Sequence, residues 1–155
     1  MEDLSLHLLD VAENALVAGA GRIEISIFEQ SKEDLMTIKI KDNGRGMDEQ
    51  TARRALDPLF TTKPGRRVGL GLPMLAQAAR EAGGNIQIQT APGKGTTVRA
   101  SFRSRHPDLK PLGDMMATMA TLSFAHPQVH FVFEHLQDQA VVCRWDSEAA
   151  KSAGT

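Results

Sequence analysis

The sequence has a single cysteine, Cys143, which excludes an intramolecular disulfide bond. One thiol is compatible with a reducing compartment, and the cytoplasm is the default location for such a chain. The sequence also lacks any apolar run near the roughly 18 residues that a membrane-spanning helix needs. Its N-terminus, with Glu2 and Asp3, is acidic where a signal peptide would be basic. We therefore expect a soluble, cytoplasmic protein with no membrane partner.

The chain also has almost no net charge. Its 18 lysines and arginines against 19 aspartates and glutamates leave a formal charge of -1, so no overall field draws it towards nucleic acid. With 155 residues, 41% of them hydrophobic, it can bury one sizeable core. We expect one domain with an appendage and no nucleic-acid partner.

Residue periodicity predicts a core with the order α-β-β-loop-α-β-β. Apolar side chains between Leu4 and Leu16 recur at steps of three and four residues, which is typical of one buried helical face. Ile23, Ile25 and Ile27 alternate with polar residues, as in a strand of an antiparallel hairpin. The predicted helices are residues 4–18 and 70–82, and the predicted strands are residues 23–27, 36–40, 85–90 and 96–102.

A second block follows a charged link at residues 103–111. It is predicted to contain a methionine-rich helix and two strands, which either lengthen the main sheet and cover its edge or form a separate docking unit. Its methionines are better explained as core filling than as an adaptable partner surface. The helix is predicted at residues 112–122 with Met115, Met116 and Met119, and the strands at residues 129–134 and 140–145. The predicted divisions are a main domain at 1–103, an extension at 104–146 and a disordered tail at 147–155.

Polar side chains accompany the apolar face of the first helix. On a helical wheel, His7, Asp10 and Asn14 lie beside that face. A carboxylate and a carboxamide at i and i+4 point the same way, about 6 Å apart along the helix axis. Both can therefore reach one hydrated Mg²⁺ ion. Alone, such a pair is more often a solvated polar stripe, so it needs support from other motifs.

The long segment at residues 42–67 is a candidate ligand site, because loops of more than about 12 to 15 residues tend to be lids or binding loops. It begins, directly after a strand, with Asp42-Asn43-Gly44-Arg45-Gly46-Met47. A buried carboxylate there can accept a hydrogen bond from an exocyclic amine, and the glycines let the backbone turn or approach a ligand. An ordinary turn after a strand is the alternative interpretation.

The second helix opens with Gly69-Leu70-Gly71-Leu72. Its free backbone N–H groups and the positive end of its dipole face the preceding loop, where phosphates would bind. Lys63 could neutralise phosphates, with Thr61 and Thr62 as further donors. A solvated basic loop is the alternative.

The order of these motifs resembles the GHKL superfamily over residues 4–102. This superfamily groups DNA gyrase, the ninety-kilodalton heat-shock chaperone, histidine kinases and MutL. The resemblance implies the Bergerat ATP-binding fold with ATP and Mg²⁺ as cofactors. That fold is an α/β (α+β) two-layer sandwich with a mixed, mostly antiparallel sheet and helices on one face, here with a C-terminal α-β-β extension.

The resemblance also implies roles for individual residues. Asn14 would bind Mg²⁺, and Asp10 stands where gyrase-type ATPases carry a catalytic glutamate. Asp42 would recognise the adenine amino group, with Thr97 near the adenine. The segment Asp57-Pro58-Leu59-Phe60-Thr61-Thr62-Lys63-Pro64 resembles the F box of histidine kinases. The nucleotide-binding residues that the resemblance implies are Asn14, Asp42, Gly44, Gly46, Met47, Thr61, Thr62, Lys63, Gly69, Leu70, Gly71, Leu72 and Thr97.

The lid segment Thr61-Thr62-Lys63-Pro64 and the second glycine box, Gly69-Leu70-Gly71-Leu72, are most similar to those of histidine kinases. Residues 18–23 are closer to MutL. Only three residues precede the first helix, so autophosphorylation in cis is not expected. The histidines are better explained as structural or surface residues than as phosphate acceptors; they are His7, His106, His126, His130 and His135. The resemblance therefore implies a stand-alone signalling module that transfers phosphate from ATP to a partner protein, like histidine kinases or anti-sigma serine kinases.

In such a phosphotransferase, Mg²⁺ and Lys63 would offset charge on the transferred phosphate while Asp10 orients the acceptor. The partner would be an acceptor protein of the sigma-factor or response-regulator type, and a homodimer stays open. One alternative is a weak ATPase or an ATP-dependent conformational switch that regulates a partner by binding. Another is an interaction scaffold in which the nucleotide is structural.

Overall fold

The computed structural model describes residues 3–57 and 71–149. None of the helices in these two ranges is long and apolar enough to span a bilayer. The elements are α1 (Leu4–Val17), β1 (Arg22–Gln30), β2 (Leu35–Asp42), α2 (Glu49–Arg54), α3 (Gly71–Glu81), β3 (Ile86–Thr90), β4 (Thr96–Arg103), α4 (Met115–Ala125), β5 (His130–Gln137) and β6 (Ala140–Asp146).

All six strands belong to one sheet with the order β3-β4-β2-β1-β5-β6. Every neighbouring pair is antiparallel except β1 and β5, which run parallel. A parallel neighbour needs a crossover connection, and α4 lies in the connection between β4 and β5. The predicted mixed, mostly antiparallel sheet is therefore confirmed.

The core lies between the sheet and its helices. Alternate residues of β1, namely Ile23, Ile25 and Ile27, are fully buried, because successive strand side chains point to opposite faces. Leu4 and Leu8 of α1 are fully buried as well. The intervening strand residues are partly exposed on the other face. The helices thus cover one face of the sheet, as the predicted two-layer architecture requires.

The methionine-rich helix begins later than predicted, at Met115 instead of residue 112. Its start is fixed by Asp114, whose side chain accepts a hydrogen bond from the Ala117 N–H at 3.0 Å, as helix N-caps do. Met115 and Met119 are 5% and 0% exposed, whereas Met116 is 39% exposed. Two of the three methionines are therefore core residues, and Met116 is a surface residue.

The two C-terminal strands join the main sheet and do not form a separate unit. Besides the β1–β5 ladder, Nε2 of His135 lies 2.7 Å from Oε2 of Glu29. Residues 147–149, in the stretch expected to be a disordered tail, form a helical turn. Ser147 is fully buried, and its hydroxyl accepts a hydrogen bond from the Phe131 N–H at 2.9 Å. The extension is thus continuous with the main domain.

Candidate functional site

A pocket with a volume of about 180 Å³ opens between α1, α2, the first turn of α3 and the adjacent ends of β2 and β4. Its walls are mainly apolar with a few polar groups, the usual composition of a small-molecule site. The lining residues are Val11, Asn14, Ala15, Ala18, Ile40, Asp42, Gly46, Met47, Thr51, Ala55, Leu72, Thr96 and Val98.

One side of the pocket is the part of α1 that we call the helix wall (Asp10, Val11, Asn14 and Ala15). Val11 and Ala15 are each 5% exposed, while Asp10 and Asn14 are half-buried. Asn14 lines the pocket, and Asp10 lies one turn before it. Within residues 3–57 and 71–149, neither polar side chain is bonded to another residue. Both are therefore available to a ligand.

The helix wall touches α3 at Gly71. A Cβ atom added to Gly71 would lie 2.7 Å from Cβ of Asp10 and 2.8 Å from the backbone nitrogen of Val11. A side chain does not fit there, which explains the glycine. The first turn of α3, which is the positive end of its helix dipole, therefore lies beside Asp10. An anion bound at this turn would lie next to the helix wall.

Asp42 ends β2 and presents a half-buried carboxyl to the pocket. Burial raises the pKa of this carboxyl above its ordinary value of 3.8, and the Gly44 N–H partly offsets that rise. Gly44 donates this hydrogen bond to Oδ1 of Asp42 at 2.8 Å. No other protein group in the described ranges donates to the carboxyl, so its second oxygen can accept from a ligand.

The loop after Asp42 is fastened to the end of α1 and the start of β1. Oδ1 of Asn43 accepts hydrogen bonds from the N–H groups of Gly21 and Arg22 at 2.8 and 2.9 Å. The guanidinium of Arg45 donates to the carbonyl oxygen of Val17 at 2.7 Å. These bonds hold the loop against the pocket.

The same loop is fastened on its other side to the turn between β3 and β4. Gly46 has a φ of 71°, and a Cβ atom there would overlap the carbonyl oxygen of Ala91. Only glycine combines this backbone conformation with this close approach. The Met47 N–H donates to Oγ1 of Thr90 at 2.9 Å. We call Asp42, Gly44, Gly46 and Met47 the loop end of the pocket, and its shape is set by the protein alone.

The pocket is lined by Thr96 and not by Thr97, the threonine that was predicted to lie near the adenine. Val98, Ala100 and Phe102 of β4 are buried on the helix-covered face. Because strand side chains alternate, Thr96 shares that face, whereas Thr97 lies on the other. Thr96 lines the pocket directly opposite Asp42 in the β2–β4 register. The side chains of two adjacent threonines in a strand point to opposite faces of the sheet. Which of them faces the pocket depends on the strand register, which is a tertiary property.

The wall formed by α2 was not assigned from the sequence. Thr51 and Ala55 line the pocket from positions one helical turn apart. Asp48 starts the helix by accepting a hydrogen bond from the Thr51 N–H at 2.7 Å. Six residues are too few for an apolar helical face to show in the sequence. The contribution of α2 therefore became visible only in the fold.

The structure brings most of the described candidate residues together. Asn14, Asp42, Gly46, Met47 and Leu72 line one pocket, while Gly44 and Gly71 pack directly behind its walls. Five candidates lie outside the described residues: Thr61, Thr62, Lys63, Gly69 and Leu70. Of the predicted F-box segment, only Asp57 is described.

The donor set is compatible with Mg²⁺ that arrives with a phosphate ligand. No three histidine, cysteine, aspartate or glutamate side chains are grouped to hold a metal within residues 3–57 and 71–149. Mg²⁺ is commonly held by one or two protein oxygens, with phosphates and water completing its shell. The carboxamide of Asn14, which lines the pocket and is not bonded to another described residue, fits that requirement.

The family model of histidine kinase-, DNA gyrase B- and HSP90-like ATPases matches residues 2–106. The chain belongs to this ATPase family. The sensor histidine kinase YxdK of Bacillus subtilis is 33% identical over 109 residues, which are 66% of this chain and 33% of YxdK. The signal transduction histidine-protein kinase AtoS of Escherichia coli is 34% identical over 98 residues, 62% of this chain and 16% of AtoS. This ATPase-family chain thus spans a third or less of these relatives.

Solved structures show the same fold at lower sequence identity. The N-terminal domain of a DNA repair protein superposes with a TM-score of 0.66 at 16% identity, covering 94% of this chain and 53% of that one. The MutL ATPase domain of Aquifex aeolicus complexed with ADP superposes with a TM-score of 0.52 at 16% identity. The alignment covers 92% of this chain and 62% of the MutL domain. Since the ATPase-family match ends at residue 106, these alignments also include most of the C-terminal part.

Proposed function

We propose that the pocket binds ATP with Mg²⁺ and that the chain transfers the terminal phosphoryl group to a partner protein. The observation that carries the proposal is the convergence of Asp42, Asn14 and the first turn of α3 on one pocket. Membership of the ATPase family supports the nucleotide. Sequence similarity to histidine kinases supports the transfer.

The loop end is proposed to bind adenine. The open oxygen of Asp42 accepts from the exocyclic amine, while Met47 and Val98 contact the faces of the ring. A volume of about 180 Å³ lies below the roughly 300–1,000 Å³ of pockets that enclose a whole drug-sized ligand. The pocket therefore suits a planar base, with the phosphates extending past the helix wall to the first turn of α3.

The helix wall is proposed to serve the phosphates and their metal. Asn14 would hold Mg²⁺, which neutralises phosphate charge when bound. Asp10, beside the first turn of α3, would orient the acceptor group and take up its proton. Lys63 would offset charge on the transferred phosphate, and further phosphate contacts would come from Thr61, Thr62, Gly69 and Leu70.

The acceptor is proposed to be a histidine or hydroxyl side chain of a partner protein. None of the pocket-lining residues in the described ranges is a histidine. His7, on the same helix as Asn14, is 2% exposed and so offers no access to an incoming phosphate. An acceptor from outside the pocket, presented as in two-component or anti-sigma systems, fits this geometry.

Binding can be tested by titrating ATP with Mg²⁺ into the purified protein in a calorimeter. Asp42→Asn replaces an acceptor oxygen with an amide that has N–H donors. We expect ATP affinity to fall by about 2 kcal/mol, or roughly 30-fold. Asp138→Asn is the matched control, because Asp138 lies in the distant β5–β6 turn, where it accepts from Ser31. Equal affinity in both variants would rule out adenine recognition by Asp42.

Transfer can be tested with ATP labelled at the γ-phosphate and an extract of the native cells. We expect a labelled protein that disappears when the Asp42→Asn variant replaces the wild-type chain. Slow release of inorganic phosphate without any phosphoprotein would instead favour the weak ATPase or conformational switch. ATP binding with neither product would leave the nucleotide as a structural ligand and contradict the transfer.

A further inference from the structure

Thr90 lies at the end of β3, behind the loop end and outside the set of residues that line the pocket. Its hydroxyl oxygen has three neighbours at hydrogen-bonding distance. It accepts from the Met47 N–H at 2.9 Å and donates to the carbonyl oxygen of Gly95 at 2.8 Å. It also lies 3.0 Å from Oγ1 of Thr96. The hydroxyl of Thr90 therefore connects the loop end to β4.

The direction of the Thr90–Thr96 bond follows from counting protons. A threonine hydroxyl has one proton to donate and two lone pairs that accept. The carbonyl oxygen of Gly95 can only accept and lies 2.8 Å from Oγ1 of Thr90, closer than Oγ1 of Thr96 at 3.0 Å, so we assign the proton of Thr90 to Gly95. The Met47 N–H uses one lone pair of Thr90, and the second lone pair remains. Thr96 must therefore donate its own proton to Thr90.

This direction determines whether the Thr96 hydroxyl can donate or only accept a hydrogen bond on the pocket side. With its proton turned towards Thr90, Oγ1 of Thr96 has only lone pairs left for a ligand. Thr96 lies opposite Asp42 in the β2–β4 register, and the open carboxyl oxygen of Asp42 is an acceptor as well. Both polar groups at this place accept hydrogen bonds, and neither donates.

We propose that Thr90 is a positioning residue that sets base specificity, because it holds the Thr96 hydroxyl as an acceptor beside Asp42. The inference rests on the proposed nucleotide binding and adds the selectivity of the same site. A 6-aminopurine offers N–H donors to the two acceptors. At the same position a 6-oxopurine has a carbonyl oxygen, whose lone pairs face the lone pairs of both acceptors, and its N–H donor lies at the neighbouring N1 atom. When the 6-position of the base faces both Asp42 and Thr96, adenosine nucleotides therefore bind more tightly than inosine nucleotides.

The test is the ratio of the dissociation constants for ATP and inosine triphosphate, which differ only at the 6-position and the adjoining ring nitrogen. In Thr90→Val the Thr96 proton is released and can turn towards a 6-oxo group. We expect the preference for ATP to shrink by roughly tenfold, which corresponds to the net free energy of one hydrogen bond. Thr90→Ser keeps the hydroxyl and should keep the wild-type ratio. The ratio is insensitive to the folded fraction and to any common loss of affinity.

Two further variants show whether Thr90 acts through Thr96. In a Thr96→Val background, Thr90→Val should leave the ratio unchanged, since there is no hydroxyl left to orient. Thr37→Val, on the other face of the sheet, should keep the wild-type ratio. A wild-type chain that binds neither nucleotide would overturn the proposed function. A wild-type chain that prefers ATP, with the same ratio in Thr90→Val, would overturn only the role of Thr90.

Discussion

The loop end and the helix wall face each other across one pocket, yet their polar groups are used in opposite ways. At the loop end, Asp42 accepts from Gly44 and Met47 donates to Thr90. On the helix wall, the side chains of Asp10 and Asn14 bond to no other residue in the described ranges. The loop end is held by bonds within the protein and keeps one carboxyl oxygen open, whereas both polar side chains of the helix wall are open to a ligand.

This difference suits the two tasks of the proposed reaction. A base keeps the same hydrogen bonds throughout turnover, so its site gains from groups that are held in advance. The phosphates, the metal and the acceptor change charge and position as the phosphoryl group moves. The side chains that bind these groups therefore need freedom to re-orient. We therefore expect changes at the loop end to alter binding, and changes on the helix wall to alter turnover.

The largest expected effect is that of Asp10→Ala on phosphoryl transfer. Removing a group that orients and deprotonates the acceptor should slow transfer by roughly 10²-fold or more, while ATP affinity changes less than about threefold. Transfer to the acceptor is followed with labelled ATP, and affinity by calorimetry. Glu13→Ala on the same helix is the control and should change neither. If ATP affinity fell as much as the rate of transfer, the helix wall would contribute to binding as the loop end does, and the proposed difference between them would be wrong.

The next largest effect is that of Gly71→Ala on stability. The added methyl group would press on Cβ of Asp10 at 2.7 Å and on the backbone of Val11. Such overpacking costs about 1–3 kcal/mol, which should lower the free energy of unfolding in urea. Gly21→Ala is the matched control, because nothing lies within 4 Å of its added Cβ. If both variants unfolded at the same urea concentration, α1 and α3 would not be in close contact.

The smallest effect is a pH dependence at the loop end. Burial raises the pKa of Asp42 in the folded state above 3.8, so the native state binds this proton more readily than the unfolded state. The contribution of Asp42 to stability therefore falls as pH rises from 3.8 through the raised pKa, and is constant above it. ATP affinity should change the opposite way, because the ionised carboxylate is the acceptor. Asp42→Asn should remove both trends in urea and calorimetric titrations across this range.

Local sequence patterns were sufficient for much of the fold. The apolar spacing from Leu4 to Leu16 and the alternation at Ile23, Ile25 and Ile27 predicted α1 and β1, because helices and strands have different periods. The start of α4 was misplaced by three residues, since the effect of the Asp114 cap was not recognised. That β5 and β6 join the main sheet was one of two open alternatives, and the partner strand β1 was not predicted. Parallel pairing joins residues far apart in the chain, and no local pattern encodes it.

The sequence by itself determined the chemistry of this protein: a carboxylate at the end of a strand, glycines where the backbone must turn, and an Asp/Asn pair on one helical face. It also determined the family. Only the tertiary structure decided that Thr96 faces the pocket, that α2 supplies a wall and that Thr90 orients the Thr96 hydroxyl. Side-chain identity and local periodicity are properties of neighbouring residues. Strand register, the meeting of helices and the direction of a hydrogen bond depend on residues that come together only when the chain folds.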